Sequence, residues 1–185
     1  MTLNDALNRP GASRLWGRVV IGLAAAAVAV LGCVAPPRAD ASVDDFALNG
    51  TFRATSNGEW AQTNDSYHDE QTIRSVWTIT SECSDAYHCS GTVSSDQGWT
   101  APINKASQSW TVERHLPNWQ TCADGSVAAG RQMYRFWRVD EAGNYDLDNQ
   151  SSVFAGEDKT VGISGSCGVS RELAIRMPFR LEKAD

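Results

Sequence analysis

The chain has 185 residues, with 16 basic and 22 acidic side chains and a formal net charge of −6. That balance argues against nucleic acid or an anionic lipid surface as a partner, and no cluster of Lys and Arg offsets it. Seven tryptophans and five cysteines are the composition features that bear most on function.

At the N-terminus, Arg14 and Arg18 precede an apolar run from Val19 to Leu31. The run falls short of the about 20 residues a membrane helix needs, but it has the length of a signal-peptide core. Pro36-Pro37-Arg38 and then Ala39-Asp40-Ala41, a small-x-small cleavage site, follow. We therefore read residues 1–41 as a signal peptide and residues 42–185 as a secreted all-β domain starting at Ser42. The competing reading takes Val30-Leu31-Gly32-Cys33 as a lipobox with Cys33 acylated, but Leu31 is uncommon at that position. Cleavage removes four basic and two acidic residues, leaving twelve and twenty and a net charge of −8. The remaining residues suit one domain able to bury roughly 70% of its unfolded surface, with no transmembrane segment in the mature chain.

Cys83, Cys89, Cys122 and Cys167 remain, and an even number in an exported chain reads as two disulfides. Of the three connectivities, Cys83–Cys89 with Cys122–Cys167 is preferred, because the first pair sits at hairpin spacing. Zinc would need CxxC-like spacings or nearby histidines, and neither is present.

After an acidic lead-in, Phe46, Leu48, Gly50, Phe52 and Ala54 alternate with polar neighbours as a first strand, ended by Ser56-Asn57-Gly58. Glu59-Trp60-Ala61 reads as the start of a return strand and Gln62 to Gln71 as a loop. Ile73 to Cys83 and Cys89 to Trp99 form a hairpin of β-branched and aromatic residues. If Cys83 faces Cys89, then Ser81 faces Gly91, Ile79 faces Val93 and Trp77 faces Ser95, which puts Trp77, Ile79, Cys83, Cys89 and Val93 on one side. Trp99 to Ile103 reads as a short strand whose Pro102 marks an edge or a bulge. Lys105 to Ser107 is a turn. Trp110, Val112 and Arg114 then alternate with Thr111, Glu113 and His115. Leu116 to Arg131 reads as a long loop tied down by Cys122, Gln132 to Asp140 as an aromatic, central strand, and Ser151 to Phe154 as another short strand. Lys159 to Gly168 is rich in glycine and serine. In the last strand, Leu173, Ile175, Met177, Phe179 and Leu181 form a wholly apolar face.

Seven or eight short strands without a helical stripe mean an all-β domain: a single small antiparallel β-barrel, with a β-sandwich as the alternative. The first and last strands must cover the same core, so we expect them side by side and antiparallel, with Arg53, Arg176 and Arg180 in solvent. That would close the barrel and remove its edges. Such an interior is filled by side chains or holds one small ligand, and Trp119 would sit at one mouth.

Several motifs carry a resemblance. Asn49-Gly50-Thr51-Phe52, Ala54 to Trp60, Cys89 to Trp99, Pro117-Asn118-Trp119 leading to Cys122, Phe154 to Asp158, and Met177-Pro178-Phe179-Arg180-Leu181 are similar to a family of mycobacterial exported proteins of unknown function. A similar domain forms the extracytoplasmic part of some mycobacterial Ser/Thr kinases. The resemblance spans residues 46 to 183. It implies an exported location and a sensing or ligand-binding role, and it brings no catalytic residues.

Among the six tryptophans of the mature chain, Trp77, Trp110 and Trp137 lie mid-strand, where core packing explains them. Trp60, Trp99 and Trp119 lie beside turns, where binding residues collect; with Trp137 they are the candidate ligand-binding residues. His68, His88 and His115 show no metal spacing, and no cofactor motif is present. Asp140, Asn144, Asp146 and Asp148 lack the order of an EF-hand loop. Gly162-Ile163-Ser164-Gly165-Ser166 fails the nucleophile-elbow pattern at its last position. Glu157-Asp158 are sequence neighbours, which does not supply two carboxylates flanking a sugar. The reading is a secreted or envelope binding module for a small apolar or envelope-derived ligand. A protein-interaction or sensor-like domain is the alternative, and a hydrolase comes third. Intact mass of the exported protein should show a chain beginning at Ser42; a diacylglyceryl adduct on Cys33 would show the lipoprotein route instead.

Overall fold

The computed structural model describes residues 42–146 and 150–184. The signal-peptide and Cys33 readings, and Asp148, lie outside the described residues. Ten strands follow one another: β1 (Gly50–Ser56), β2 (Gln62–Thr63), β3 (Ser66–Tyr67), β4 (Ile73–Cys83), β5 (His88–Ser95), β6 (Trp99–Ala106), β7 (Ser109–Thr121), β8 (Val127–Arg138), β9 (Val153–Gly162) and β10 (Ala174–Lys183). Short 3₁₀ turns occupy Val43–Phe46, Gly58–Trp60 and Ser166–Gly168. Among the described residues there is no α-helix.

Eight of the strands close on themselves. β4 to β10 run as an antiparallel meander, and β1 fills the gap between β4 and β10. Phe52 lies opposite Lys183, Ala54 opposite Leu181 and Ser56 opposite Phe179. The terminal strands are therefore neighbours, Arg53, Arg176 and Arg180 are exposed, and the domain is a barrel rather than a sandwich. β2 and β3 form a small hairpin that pairs with Ile175 and Arg176 of β10, on the edge that β1 occupies further along the strand.

The β4–β5 register follows from the cysteine spacing: Cys83 faces Cys89, Ser81 faces Gly91, Ile79 faces Val93 and Trp77 faces Ser95. Both expected disulfides, Cys83–Cys89 and Cys122–Cys167, are formed. In the loop between the first pair, the Asp85 carboxylate accepts from the Tyr87 and His88 amides, at 2.7 and 3.0 Å.

Several local expectations give way. Glu59 to Ala61 is no return strand but part of the Gly58–Trp60 turn, where the Asn57 side chain accepts from the Glu59 amide. Gln62 to Gln71 holds the β2–β3 hairpin, turned by Asn64 and Asp65 at φ 49° and 66°, the backbone that a two-residue type I′ turn requires. Leu116 to Arg131 is no long loop, because β7 and β8 continue through it. Pro117 has no N–H to give the ladder, so the pairing breaks between Leu116 and Gln120 and then resumes at Gln120 opposite Ala128. The strand expected at Ser151 to Phe154 is longer and later, Val153–Gly162, because the glycines of this stretch sit inside the ladder. Phe46 lies in the 3₁₀ turn before β1, and the turn after β6 falls at Ser107 and Gln108.

The interior is filled by aromatic rings. Trp77 is fully buried, and its ring lies 4.9 Å from Tyr134, 5.3 Å from Phe179, 5.4 Å from Trp99 and 6.5 Å from Phe136. Phe52, Phe154, Leu181, Ile79, Ile103, Val93 and Val112 complete the packing. One end is plugged by the segment before β1. There Leu48 is buried, its amide donates to Ser81 Oγ at 2.8 Å and its carbonyl accepts from the same hydroxyl at 3.0 Å. Phe46 lies beneath Lys105, and the space left there is about 10 Å³, roughly what one water needs.

The Cys122–Cys167 bridge spans 45 residues, for which loop closure implies about 4 kcal/mol, against about 2 kcal/mol for the short bridge. Denaturant unfolding of the Cys122→Ala/Cys167→Ala and Cys83→Ala/Cys89→Ala pairs should show the first losing more; equal losses would contradict it.

Candidate functional site

The end of the barrel opposite the plug is open, and strand phase explains its chemistry. On β7, Trp110 and Val112 face inward among the core, and the same alternation turns Arg114 inward one step nearer the open end. On β8, Phe136 and Tyr134 are followed by Gln132; on β9, Phe154 is followed by Gly156, Asp158 and Thr160. The rings of the core thus give way to a polar layer.

Asp158 is the anchor of that layer and only 1% exposed. Its carboxylate accepts from Ser56 Oγ at 2.7 Å and from Gln132 Nε2 at 2.8 and 3.0 Å. Burial raises its carboxyl above the usual value, against those hydrogen bonds and the charge of Arg114. Burial, helped by the Asp158 charge, likewise holds the Tyr134 phenol well above its ordinary value.

Arg114 is treated differently. Its guanidinium lies 4.4 Å above the Trp99 ring. Nε and Nη1 are buried with no hydrogen-bond partner, as are the donor Trp99 Nε1 and the acceptor Gln132 Oε1. Burial pushes the guanidinium pKa down, though an arginine stays charged at any physiological pH. The two other inward cations are satisfied: Lys105 Nζ donates to the Ala86 carbonyl at 2.8 Å, and Arg138 donates to the Ser151 carbonyl.

Arg114 borders two openings. One is a cavity of about 310 Å³ in the barrel mouth, lined by Ile73, Leu116, Trp119, Tyr134, Ile175 and Met177 with Gln132 and Thr160. The other is a slit of about 530 Å³ between β6 and β7. These strands pair only from Ile103 opposite Val112 to Ala106 opposite Ser109. Beyond that they diverge, with Pro102 at the edge its sequence foretold.

The candidate tryptophans separate here. Trp99 lies inside, between Trp77 and Arg114. Trp119 lies in the bulge of β7, with its ring over two glycines: a Cβ on Gly130 would stand 2.8 Å from it and one on Gly162 3.1 Å. Both residues border the openings. Trp60 is 69% exposed in its turn, and Trp137 lies on the outer face, stacked on Tyr145 at 5.1 Å; neither lines the mouth. Arg114, Gln132 and Tyr134 are not among the candidates, and Asp158 enters only as half of the Glu157-Asp158 pair, although a charged residue in phase with Trp110 and Val112 was there to be read.

The remaining clusters do structural work. Glu157 and Asp158 point to opposite faces, Glu157 outward to Arg176 at 3.3 Å. Asp158 does not line the mouth cavity, so as an acid or base it has no path to a substrate there. Asp140 accepts from the Asn144 amide at 2.8 Å and closes its own turn. His68 and His88 lie beside Glu70 and Asp85 on the surface. An outer groove of about 440 Å³ beside β2 and β10 has its charges largely matched, Arg171 with Asp65 and Arg176 with Glu157.

No protein-family model and no curated protein sequence matches the chain. A solved structure titled "Monomer form of M.tuberculosis PknI sensor domain" is similar in fold, with a TM-score of 0.52 and 13% identity over 75% of this chain and 88% of that chain.

A carboxyl whose pKa rises on folding stabilises the native state fully below its unfolded value and loses that contribution as pH climbs through the native one. Relative to Asp158→Asn, the wild type should therefore be most stable below pH 3.8, the ordinary carboxyl value, and lose ground as pH rises through the raised value. Thermal unfolding of both proteins from about pH 3 to pH 7 checks this, and parallel curves would refute the assignment.

Proposed function

We propose that this chain is an extracytoplasmic recognition domain of the sensor type that binds its ligand at the open mouth of the barrel. One observation carries the reading. The interior is packed with rings along its length, and among the described residues only at the mouth does a cavity adjoin buried donors without acceptors: Arg114 lines it, and Trp99, packed against Arg114, borders the slit beside it. Burying such groups unpaired costs free energy, and cavities with a few convergent polar groups are where ligands bind. The likeness in fold to a kinase sensor domain and the two disulfides support an exported recognition role.

A protein partner is the second reading. The facing edges of β6 and β7 beyond Ile103 and Val112 have no ladder between them, and an extended segment adds readily to such an edge. A deep apolar carrier site has less support, since the interior is filled.

Native mass spectrometry of the protein purified from its own host separates these. The expected result is an added small mass, lost on denaturation and absent from the Trp119→Ala variant. An added polypeptide would favour the partner reading, and a bare chain in both proteins would contradict recognition of a retained ligand.

A further inference from the structure

Resting on that recognition reading, we infer that the mouth site takes a monocarboxylate with an apolar body, its carboxylate on the Arg114 guanidinium and its body in the cavity. The pairing of the inward-facing charges selects the head group, and Arg114 among them is half-buried with Nε and Nη1 shut off from water. Lys105 and Arg138 each have a carbonyl acceptor. Asp158 has Ser56 and Gln132 as donors to both oxygens. Arg114 has no such partner and forms no ion pair among the described residues. Asp158, the buried carboxylate whose opposite charge Arg114 feels, is already held by Ser56 and Gln132 and makes no hydrogen bond to Arg114.

A planar guanidinium matches a carboxylate edge to edge, and charge-assisted bonds of this kind are among the strongest in proteins. Trp99, whose ring packs against the same guanidinium, borders the neighbouring slit, and its Nε1 is a further buried donor without an acceptor on that side of Arg114. Gln132 Oε1 is the one unpaired buried acceptor of the layer, and one acceptor against three unpaired donor nitrogens still favours an anion.

The walls select the body. Ile73, Leu116, Trp119, Ile175 and Met177 surround a volume of about 310 Å³, room for a medium-length chain or a ring system and not for a polymer. Glu70 also lines this cavity, which disfavours a second negative charge on the ligand, as does the domain's acidic balance. The head group therefore belongs at the inner end and the apolar body toward Trp119.

The test uses decanoate and its neutral counterpart decan-1-ol, titrated into residues 42–185 and into the R114Q variant. Nitrogen-15 spectra follow the Arg114 Nε–H and the indole N–H signals. Decanoate should shift Arg114 Nε–H and the Trp99 and Trp119 indoles and bind about 10- to 100-fold more tightly than decan-1-ol. In R114Q, decanoate should lose its preference over the alcohol, so that the two bind alike. The decanoate-to-decanol ratio in the wild type stands even if the variant folds poorly. Equal binding of acid and alcohol, with the mouth indoles shifting, would overturn the anionic head group while leaving recognition at the mouth intact. Retained decanoate affinity in R114Q would move the anion elsewhere and overturn the site. No binding of either compound would overturn the inference as a whole; the mouth reading itself then stands or falls on the mass of the co-purifying ligand.

Discussion

Closure of the sheet is the constraint on which the rest of this domain depends. Once β1 pairs with both β4 and β10, the barrel has a fixed girth and no free strand order to vary. An eight-stranded interior of that girth is about wide enough to be filled by side chains. Here it is filled by rings set edge to face or tilted around Trp77, at centroid separations of 4.9 to 6.5 Å. Such contacts add to the large area each ring removes from water. The segment before β1 completes the filling from one end through its exchange of hydrogen bonds with Ser81.

The same girth makes the polar layer at the other end expensive. A charge placed there is taken out of water by walls built for rings. Asp158 meets that with three donated hydrogen bonds, and its carboxyl pKa still rises. Arg114 meets it with a π face on one side and nothing at two of its nitrogens. Unsatisfied buried groups are rare in native proteins and call for an explanation, and functional sites are places where stability is commonly given up. The split between β6 and β7 lies beside the same residue. Arg114 thus stands where the wall is weakest and the interior least satisfied, a coincidence that packing alone does not require.

Much of the fold was legible in residue order because covalent and steric facts are local. The Cys83–Cys89 spacing implied a register, and the register implied the faces of β4 and β5. The apolar faces at both chain ends implied closure, since one small domain has one core. Pro102 marked an edge because it has no N–H to share. What could not be read were the ladders that run through unfavourable residues. Pro117, Gly130, Gly156 and Gly162 look like loop residues, yet each lies within a strand: the proline and the glycines are absorbed by a bulge, by the Trp119 ring, or by close approach of a neighbouring strand, as where a Cβ on Gly156 would meet the Arg135 carbonyl at 2.0 Å. Those are contacts between distant residues. The site was half legible for the same reason. Trp99 and Trp119 stood out as aromatic residues near turns, and so did Trp60 and Trp137, which the barrel sends elsewhere. Arg114 followed the inward phase of Trp110 and Val112, but its want of a partner appears only when eight strands are brought together.

We place recognition at the mouth, between Trp99 and Trp119, and not on the outer surface. Fluorine NMR of residues 42–185 carrying 5-fluorotryptophan tests it most directly, because the six indoles sample the mouth, the core, the turn at Trp60 and the outer face at Trp137. On addition of a small-molecule extract of the host envelope, the Trp99 and Trp119 signals should move while those of Trp60 and Trp137 hold still. Movement of Trp60 or Trp137 with Trp99 and Trp119 unchanged would contradict it.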